Sequence, residues 1–285
     1  MLTTTERAHE LRSHIASRVQ AGGIAVETLE PRKRDELEFH DRYRDASARV
    51  ELGGDEFDQI YGNERFYKVT EVSLAYTKDW ITKHSRGSIF LDFACGDGGN
   101  SRRAAAAGAE LAVGIDLSDV SVQNCRTDAE AAGVAESTLY LQADCEHTGF
   151  PDGSFDTIIC SGVLHHMDLS FAFPELRRIL APGGRILCVE ALAVNPAIQW
   201  YRNRTPEMRT EWEKNHILGP KDLKLAKRFF DIGDVHYWHL SSIAAAYAPR
   251  LLKPLNAVDS LLCKVPGVRS LSWVFTFELL KAAQR

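Results

Sequence analysis

Residues 91–101, LDFACGDGGNS, close an apolar run in a turn of small residues and then open into helix-compatible sequence. A strand, a glycine-rich turn and a helix start bring free backbone N–H groups to one point, where they favour an electron-rich ligand. Gly96 and Gly98 let the backbone approach such a ligand with no side chain between. Asp116 ends the next apolar run, 18 residues beyond Gly98. A carboxylate there can accept from both hydroxyls of a ribose, and the plainer alternative is a helix cap before Leu117 and Ser118. Together the turn and the carboxylate point to a nucleoside-containing ligand. A second chemical pair, His165 and His166, follows the apolar run 155–160. Imidazoles titrate near neutrality and can take a proton from a substrate.

The elements that must hold these groups are short apolar runs alternating with helical segments. The runs span 89–94, 111–116, 138–143, 155–160 and 185–192. Between them, the alanine-rich segment 100–107 ends at Gly108, and 118–132 is bracketed by a capping Ser118 and by Gly133. A third helix over 171–180 stops at Ala181-Pro182-Gly183-Gly184. This alternation predicts a doubly wound α/β domain with a parallel sheet, whose ligands bind at the carboxyl ends of the strands.

On either side the pattern changes. Residues 1–84 read as a polar helical extension, and within it 32–49 is so crowded with charge that it should be solvated unless a partner covers it. Residues 70–83 (TEVSLAYTKDWITK) read as an amphipathic helix with Val72, Ala75, Tyr76, Trp80 and Ile81 on its apolar face. The domain itself is expected over 85–285, with its core at 88–192. The polar stretch 195–220 shows little periodicity and reads as a long functional or disordered loop. A helix is expected over 221–230, then strands over 235–240 and 272–279, the latter alternating as VFTFEL.

Composition narrows the function. The chain has 285 residues and is 45% hydrophobic and 26% charged, ordinary values for a soluble chain able to bury a sizeable core. It shows neither an apolar span of membrane length nor a secretory leader, and its six cysteines, Cys95, Cys125, Cys145, Cys160, Cys188 and Cys263, form no C-x-x-C pair. A cytoplasmic protein with reduced thiols is expected. Residues 1–84, 85–195 and 196–285 carry net charges of −3, −8 and +6. An acidic centre disfavours a polyphosphate partner, although the basic final third keeps nucleic acid open.

The motifs resemble those of the class I S-adenosylmethionine-dependent methyltransferases over 88–192. Asp92-Phe93-Ala94-Cys95-Gly96-Asp97-Gly98 is similar to that family's first motif, D-x-[GA]-C-G-x-G, with Ala94 in place of the commonest glycine. By this resemblance Asp92, Ala94, Cys95, Gly96 and Gly98 belong to the cofactor site. Asp116 should hold the ribose, Leu117 should touch the adenine, and Asp144-Cys145 should meet its amino group and ring. Phe155-Asp156 with Ser161-Gly162-Val163-Leu164-His165-His166 resembles the fourth-strand motif, which brings Ser161 to the site. Residues 176–184 resemble the helix and turn before the fifth strand. The implied fold is a Rossmann-like seven-stranded sheet, mostly parallel with a final antiparallel strand, bearing a helical N-terminal extension and a capping insertion after the fifth strand. Asp92 would repel a pyrophosphate at the end of the first strand but suits the cofactor's ammonium group, which argues against a nicotinamide dinucleotide.

The implied reaction moves a methyl group from S-adenosylmethionine to oxygen or carbon of a small-molecule or lipid-like acceptor, releasing S-adenosyl-L-homocysteine, with no metal required. His165 or His166 is the candidate base, or both only shape the cofactor pocket. Tyr67, Glu190, Arg209, His216, His236 and His239 are secondary candidates, each more simply read as surface, capping or packed. Cys160 lacks the Pro-Cys context of a cytosine-attacking thiol and reads as a buried apolar residue. Ser161-Gly162-Val163-Leu164 stands where enzymes acting on base amino groups have Asn/Asp-Pro-Pro-Tyr/Phe, which disfavours a nucleic-acid substrate. By the resemblance, the N-terminal helices and the segment 195–220 should roof the open side of the cofactor site, with Trp200, Tyr201, Trp212 and His216 lining or closing an acceptor pocket, and the plainer alternative is a structural flap. The apolar, lysine-bearing stretches at 251–255 and 258–266 suit docking on an anionic membrane or a lipid-like substrate. The preferred alternative is a helix packed on its own sheet with the lysines outward. Two rival readings are a class I fold using the same cofactor for non-methylating chemistry, and a non-catalytic protein that binds cofactor or a partner.

Overall fold

The computed structural model describes residues 2–44 and 64–282, apart from the side chains of Tyr43, Glu64 and Arg65. Four helices come first: α1 (Thr4–Ala21), α2 (Pro31–Arg44), α3 (Glu64–Tyr67) and α4 (Glu71–Ser85). The alternating region then runs β1 (Ile89–Phe93), α5 (Gly99–Ala106), β2 (Leu111–Asp116), α6 (Asp119–Ala131), β3 (Thr138–Gln142), β4 (Phe155–Ser161), α7 (Leu169–Ile179) and β5 (Leu180–Ala191). After it come α8 (Pro196–Arg204), α9 (Glu211–His216), α10 (Pro220–Ala226), β6 (Asp231–Trp238), α11 (Leu252–Leu262) and β7 (Val274–Leu280).

The strands form one seven-stranded sheet in the order β3-β2-β1-β4-β5-β7-β6. β7 runs antiparallel between β5 and β6, while β1 to β5 pair in parallel. The order reverses between β1 and β4, which opens a crevice at their carboxyl ends. Every residue of β1 and β2 is buried, as expected for strands covered on both faces.

Alternation along β1 sorts its side chains between two cores. Ile89, Leu91 and Phe93 join Leu11 and Ile15 of α1 and Phe173 and Leu176 of α7 on one face. Phe90 points to the other, where Trp80 and Ile81 of α4 meet Ala112, Ile159 and Leu187. The amphipathic reading of α4 is right about Trp80 and Ile81, but its buried face is rotated. Val72 is exposed, whereas Ser73 and Thr77 are buried, because small residues admit the close approach of Ser73 to His239 at 2.8 Å.

Three other expectations are corrected. The segment 195–220 is no structureless loop, since it holds α8, α9 and a 3₁₀ turn (Pro206–Met208). Its signals are local caps: the Asn195 side chain accepts from the N–H groups of Ala197 and Ile198 ahead of Pro196, and Thr210 caps α9. The turn at 181–184 lies inside β5, where the register against β4 shifts between Phe155 and Thr157. The helix expected over 221–230 is shorter, because Asp231 already opens β6.

The C-terminal stretch also departs from the preferred reading. α11 packs against the short turns Ser242–Ala246 and Pro249–Leu251, not on the sheet, and its buried residue is Asp259. That carboxylate accepts from the N–H groups of Ser241 and Ser242, leaving Val258 and Leu261 exposed. Among the described residues no helix is long and apolar enough to cross a membrane.

Candidate active site

The glycine-rich turn sits where the sheet order reverses. Ala94, Gly96 and Gly98 all take left-handed φ, of 57°, 56° and 70°. Gly98 also leaves no room for a side chain, since a Cβ there would lie 2.8 Å from Cys125 Sγ. Ala94 takes this conformation without being a glycine, at a cost of about 1 kcal/mol. The Cys95 side chain turns away from the crevice toward Cys125, 3.9 Å away, so Cys95 serves the turn through its backbone, donating to the Ile115 carbonyl. A signal missed by the sequence reading is Gly114: a Cβ there would lie 2.6 Å from the Tyr140 ring, whose hydroxyl accepts from Ser101 under the turn.

Asp92 is buried beneath the helix start and accepts from the Ser101 N–H at 3.0 Å. Burial pushes its carboxyl up to about 7, against the pull of that N–H and of Asn100, and the charges of Asp97 and Asp116 push the same way. A cation placed near Asp92 would restore its charge.

Asp116 joins the turn to the entry of the next helix. One oxygen accepts from the Gly96 N–H at 2.9 Å, tying the turn to β2, and the other accepts from the Ser118 N–H at 3.0 Å. Asp116, Leu117, Asp144, Cys145, Ala94, Val163 and Met167 line one cavity of about 130 Å³. Carboxylates to meet hydroxyl and amino donors, flanked by apolar walls, match the chemistry of a nucleoside.

The covering element comes from the N-terminal helices, as expected, but from their most charged segment. α2, in the segment read as solvated unless a partner covered it, lies over this cavity, and Lys33 is only 6% exposed. Its charges are matched from within the chain: Lys33 Nζ lies 2.6 Å from Asp144 and 2.9 Å from Glu146, and Arg44 lies 3.1 Å from Asp116. Residues 45–49 of the charged segment lie outside the described residues.

A second and larger cavity, about 820 Å³, adjoins the first and shares His40, Gly162 and His166 with it. Ser161, His165, Trp200 and Tyr201 line it as expected, whereas Trp212 and His216 do not. Those two stack on each other 3.6 Å apart, with the Arg32 guanidinium over the indole. Phe66, Tyr67, Ile198, Ile217 and Trp273 add apolar lining.

His165 and His166 stand in this wall with ring centroids 4.1 Å apart. His165 Nδ1 lies 2.7 Å from Glu190 and His166 Nδ1 lies 2.9 Å from Glu36. A carboxylate only accepts, so each Nδ1 carries the hydrogen and each Nε2 is left basic. Glu190, ranked among the secondary candidates, is buried and also accepts from the N–H groups of Val163 and Leu164 at 2.9 and 2.8 Å. Burial pushes Glu36 up, but its bonds to His166 and His40 outweigh this and hold the carboxyl far below its usual range. The donor atoms of Glu36, His40 and His166 lie within 4.8 Å of one another, as do those of His165, His166 and Glu213, close enough to share a cation.

The other candidates separate cleanly. Tyr67, Glu190 and Arg209 line the larger cavity. His239 is buried between Ser73 and Ser242, and burial pushes it down to about 4, so it is a packed neutral imidazole. His236 packs against Tyr76 and Trp238. Cys160 is wholly buried and its thiol is pushed up by burial.

Comparison with known proteins agrees with this architecture. Residues 91–188 match the methyltransferase domain family. The 27-O-demethylrifamycin SV methyltransferase of Amycolatopsis mediterranei is 33% identical over 109 residues, 38% of this chain and 40% of that protein. The demethylmenaquinone methyltransferase of Thermus thermophilus is 39% identical over 103 residues, 35% of this chain and 46% of that one. The chain thus spans less than half the length of these relatives. Among solved structures, a geranyl diphosphate methyltransferase in complex with its diphosphate and sinefungin superposes with a TM-score of 0.55 at 17% identity, covering 73% of this chain and 78% of that one. The [4+2]-cyclase SpnF does so with 0.53 at 20% identity, covering 73% and 80%. With its motifs in order on a sheet of this topology, the segment 91–188 is similar to the methyltransferase domain family, and the chain shares the fold of these methyltransferase-like structures.

Proposed function

We propose that the protein transfers a methyl group from S-adenosylmethionine to oxygen or carbon of a small-molecule or lipid-like acceptor, releasing S-adenosylhomocysteine. The observation that carries this reading is the pair of adjoining cavities, one with a nucleoside-like donor set and the other larger and mainly aromatic, meeting at Gly162 and His166. When bound, the cofactor supplies an electrophilic methyl on a sulfonium. The protein must align an acceptor with that methyl and exclude water.

In this reading Asp116 holds the ribose, Leu117 and Cys145 flank the adenine with Asp144 near its amino group, and Asp92 answers the ammonium group directly or through water. Gly96 and Gly98 give backbone access, and Ser161 borders the acceptor side. His165 and His166 offer Nε2 for an acceptor proton, each held in its tautomer by a carboxylate at Nδ1. Residues 1–84 serve as a cap, with α2 closing the cofactor cavity and the segment 195–220 roofing the acceptor cavity. Cytoplasmic action is part of the proposal, supported by six cysteines that are all unpaired thiols.

The test is calorimetry with S-adenosylmethionine and S-adenosylhomocysteine on the wild type and Asp116→Ala. Micromolar binding that weakens at least tenfold in the variant supports the assignment, and a folded protein that binds neither compound overturns it. If a folded His165→Ala or His166→Ala variant keeps cofactor binding and full turnover, that histidine is not the base.

A further inference from the structure

The larger cavity contains a buried cation that has no ion-pair partner among the described residues. Arg202 of α8 is 9% exposed and lines this cavity. Its one hydrogen bond runs from Nη1 to the Leu192 carbonyl at 3.4 Å, and it has no ion pair with a carboxylate among the described residues. The nearby guanidinium, Arg209, lines the same cavity but is satisfied locally, donating to Thr205 and lying 3.4 Å from Glu213. Glu213 pairs with Arg209, and its charge reaches Arg202 only without a direct ion pair, working with Tyr67 against the positive charge of Arg209.

A buried cation without a counterion costs several kcal/mol, and proteins avoid leaving one unless something pairs with it. Burial and the charge of Arg209 push the Arg202 guanidinium down to about 10, so it still carries its proton at neutral pH. A guanidinium is a planar fork whose parallel N–H groups match the two oxygens of a carboxylate or phosphate. Ile198, Tyr201, Phe66 and Trp273 line the same cavity and suit a flat apolar body.

We propose that Arg202 is an anion subsite of the acceptor cavity, and that the natural acceptor is an apolar skeleton bearing an oxyanion, either a carboxylate or a phosphate. This deepens the methyltransferase reading by naming the acceptor class, but binding at Arg202 is measurable without any turnover.

The experiment titrates 2-naphthoate, 2-naphthyl phosphate and uncharged 2-naphthamide into the protein, with and without S-adenosylhomocysteine, following tryptophan fluorescence. Trp200 and Trp273 line the cavity and report its occupancy. At least one oxyanion probe should bind tenfold or more tightly than the amide, and the preferred one identifies carboxylate or phosphate as the head group. Arg202→Met should reduce that preference to less than twofold, while Arg202→Lys should keep part of it. Arg202→Met should also melt at or above the wild-type temperature, because it removes an unpaired buried charge, whereas an arginine with a purely structural role would lower it. No preference for either oxyanion in the wild type, including no binding of any probe, overturns the proposal, as does an Arg202→Met variant that retains the preference. A protein that binds an oxyanion but no S-adenosylhomocysteine would keep this subsite and sink the cofactor reading instead.

Discussion

Replacing Glu190 tests how the histidine-bearing turn is held. In the wild type one carboxylate takes three hydrogen bonds, from the Val163 N–H, the Leu164 N–H and His165 Nδ1, at 2.7 to 2.9 Å and away from water. Bonds to a charged acceptor contribute about 1.5–3 kcal/mol each and neutral ones about 0.5–1.5. Glu190→Gln keeps the shape and one acceptor oxygen for the two backbone donors, so each weakens by roughly 1 kcal/mol. The new amide N–H also faces a ring nitrogen that was itself a donor. A loss of about 2–3 kcal/mol follows, or roughly 4–6 °C in melting temperature for a chain of 285 residues. Glu190→Ala strands both N–H groups and should cost more. Thermal melts give the stability, and nitrogen-15 NMR of the imidazoles gives the tautomer. In Glu190→Gln the His165 hydrogen is expected to move from Nδ1 to Nε2, and turnover should fall further than S-adenosylhomocysteine affinity. A variant that melts within 1 °C of wild type with an unchanged His165 tautomer would refute the argument.

Three further outcomes are expected. Ala94→Gly removes the penalty of a left-handed φ of 57° and should raise stability by about 1 kcal/mol in a denaturant titration; a drop would mean that packing of the methyl outweighs backbone strain. Asp92 is raised to about 7 in the fold, so the unfolded chain releases this proton first and the group's contribution declines as pH rises from about 4 to 7. Asp92→Asn should therefore flatten the fall in melting temperature between pH 5 and pH 8, and parallel pH curves for the two proteins would contradict this. Arg44 pairs with Asp116 at a partly exposed site, where such a bond contributes about 0–1 kcal/mol, and a nucleoside must replace it. Arg44→Met should tighten S-adenosylhomocysteine binding by up to about fivefold in calorimetry, and weaker binding would show that Arg44 helps to hold the ligand.

Glycines at the first turn, Asp116 at the end of β2, and Ser118 and Gly133 around α6 are local signals. Each acts within a few residues of the backbone it shapes, so the order of elements and the cofactor edge were legible in the chain. The caps of α8 are local signals too, although the segment they open lacks apolar periodicity. By contrast, the partners of the site lie far apart in sequence. Glu36 meets His166 across 130 residues and Lys33 meets Asp144 across 111, so a segment that looks merely charged becomes the cover of a cavity. Charge counts along a chain do not say which carboxylates will neutralise which cations, because burial sets that, and burial exists only once the sheet has brought these edges together. For the same reason Arg202, which has no carboxylate in ion-pair contact among the described residues, was invisible in the sequence and is conspicuous in the fold: its lack of an ion pair is a property of the cavity around it.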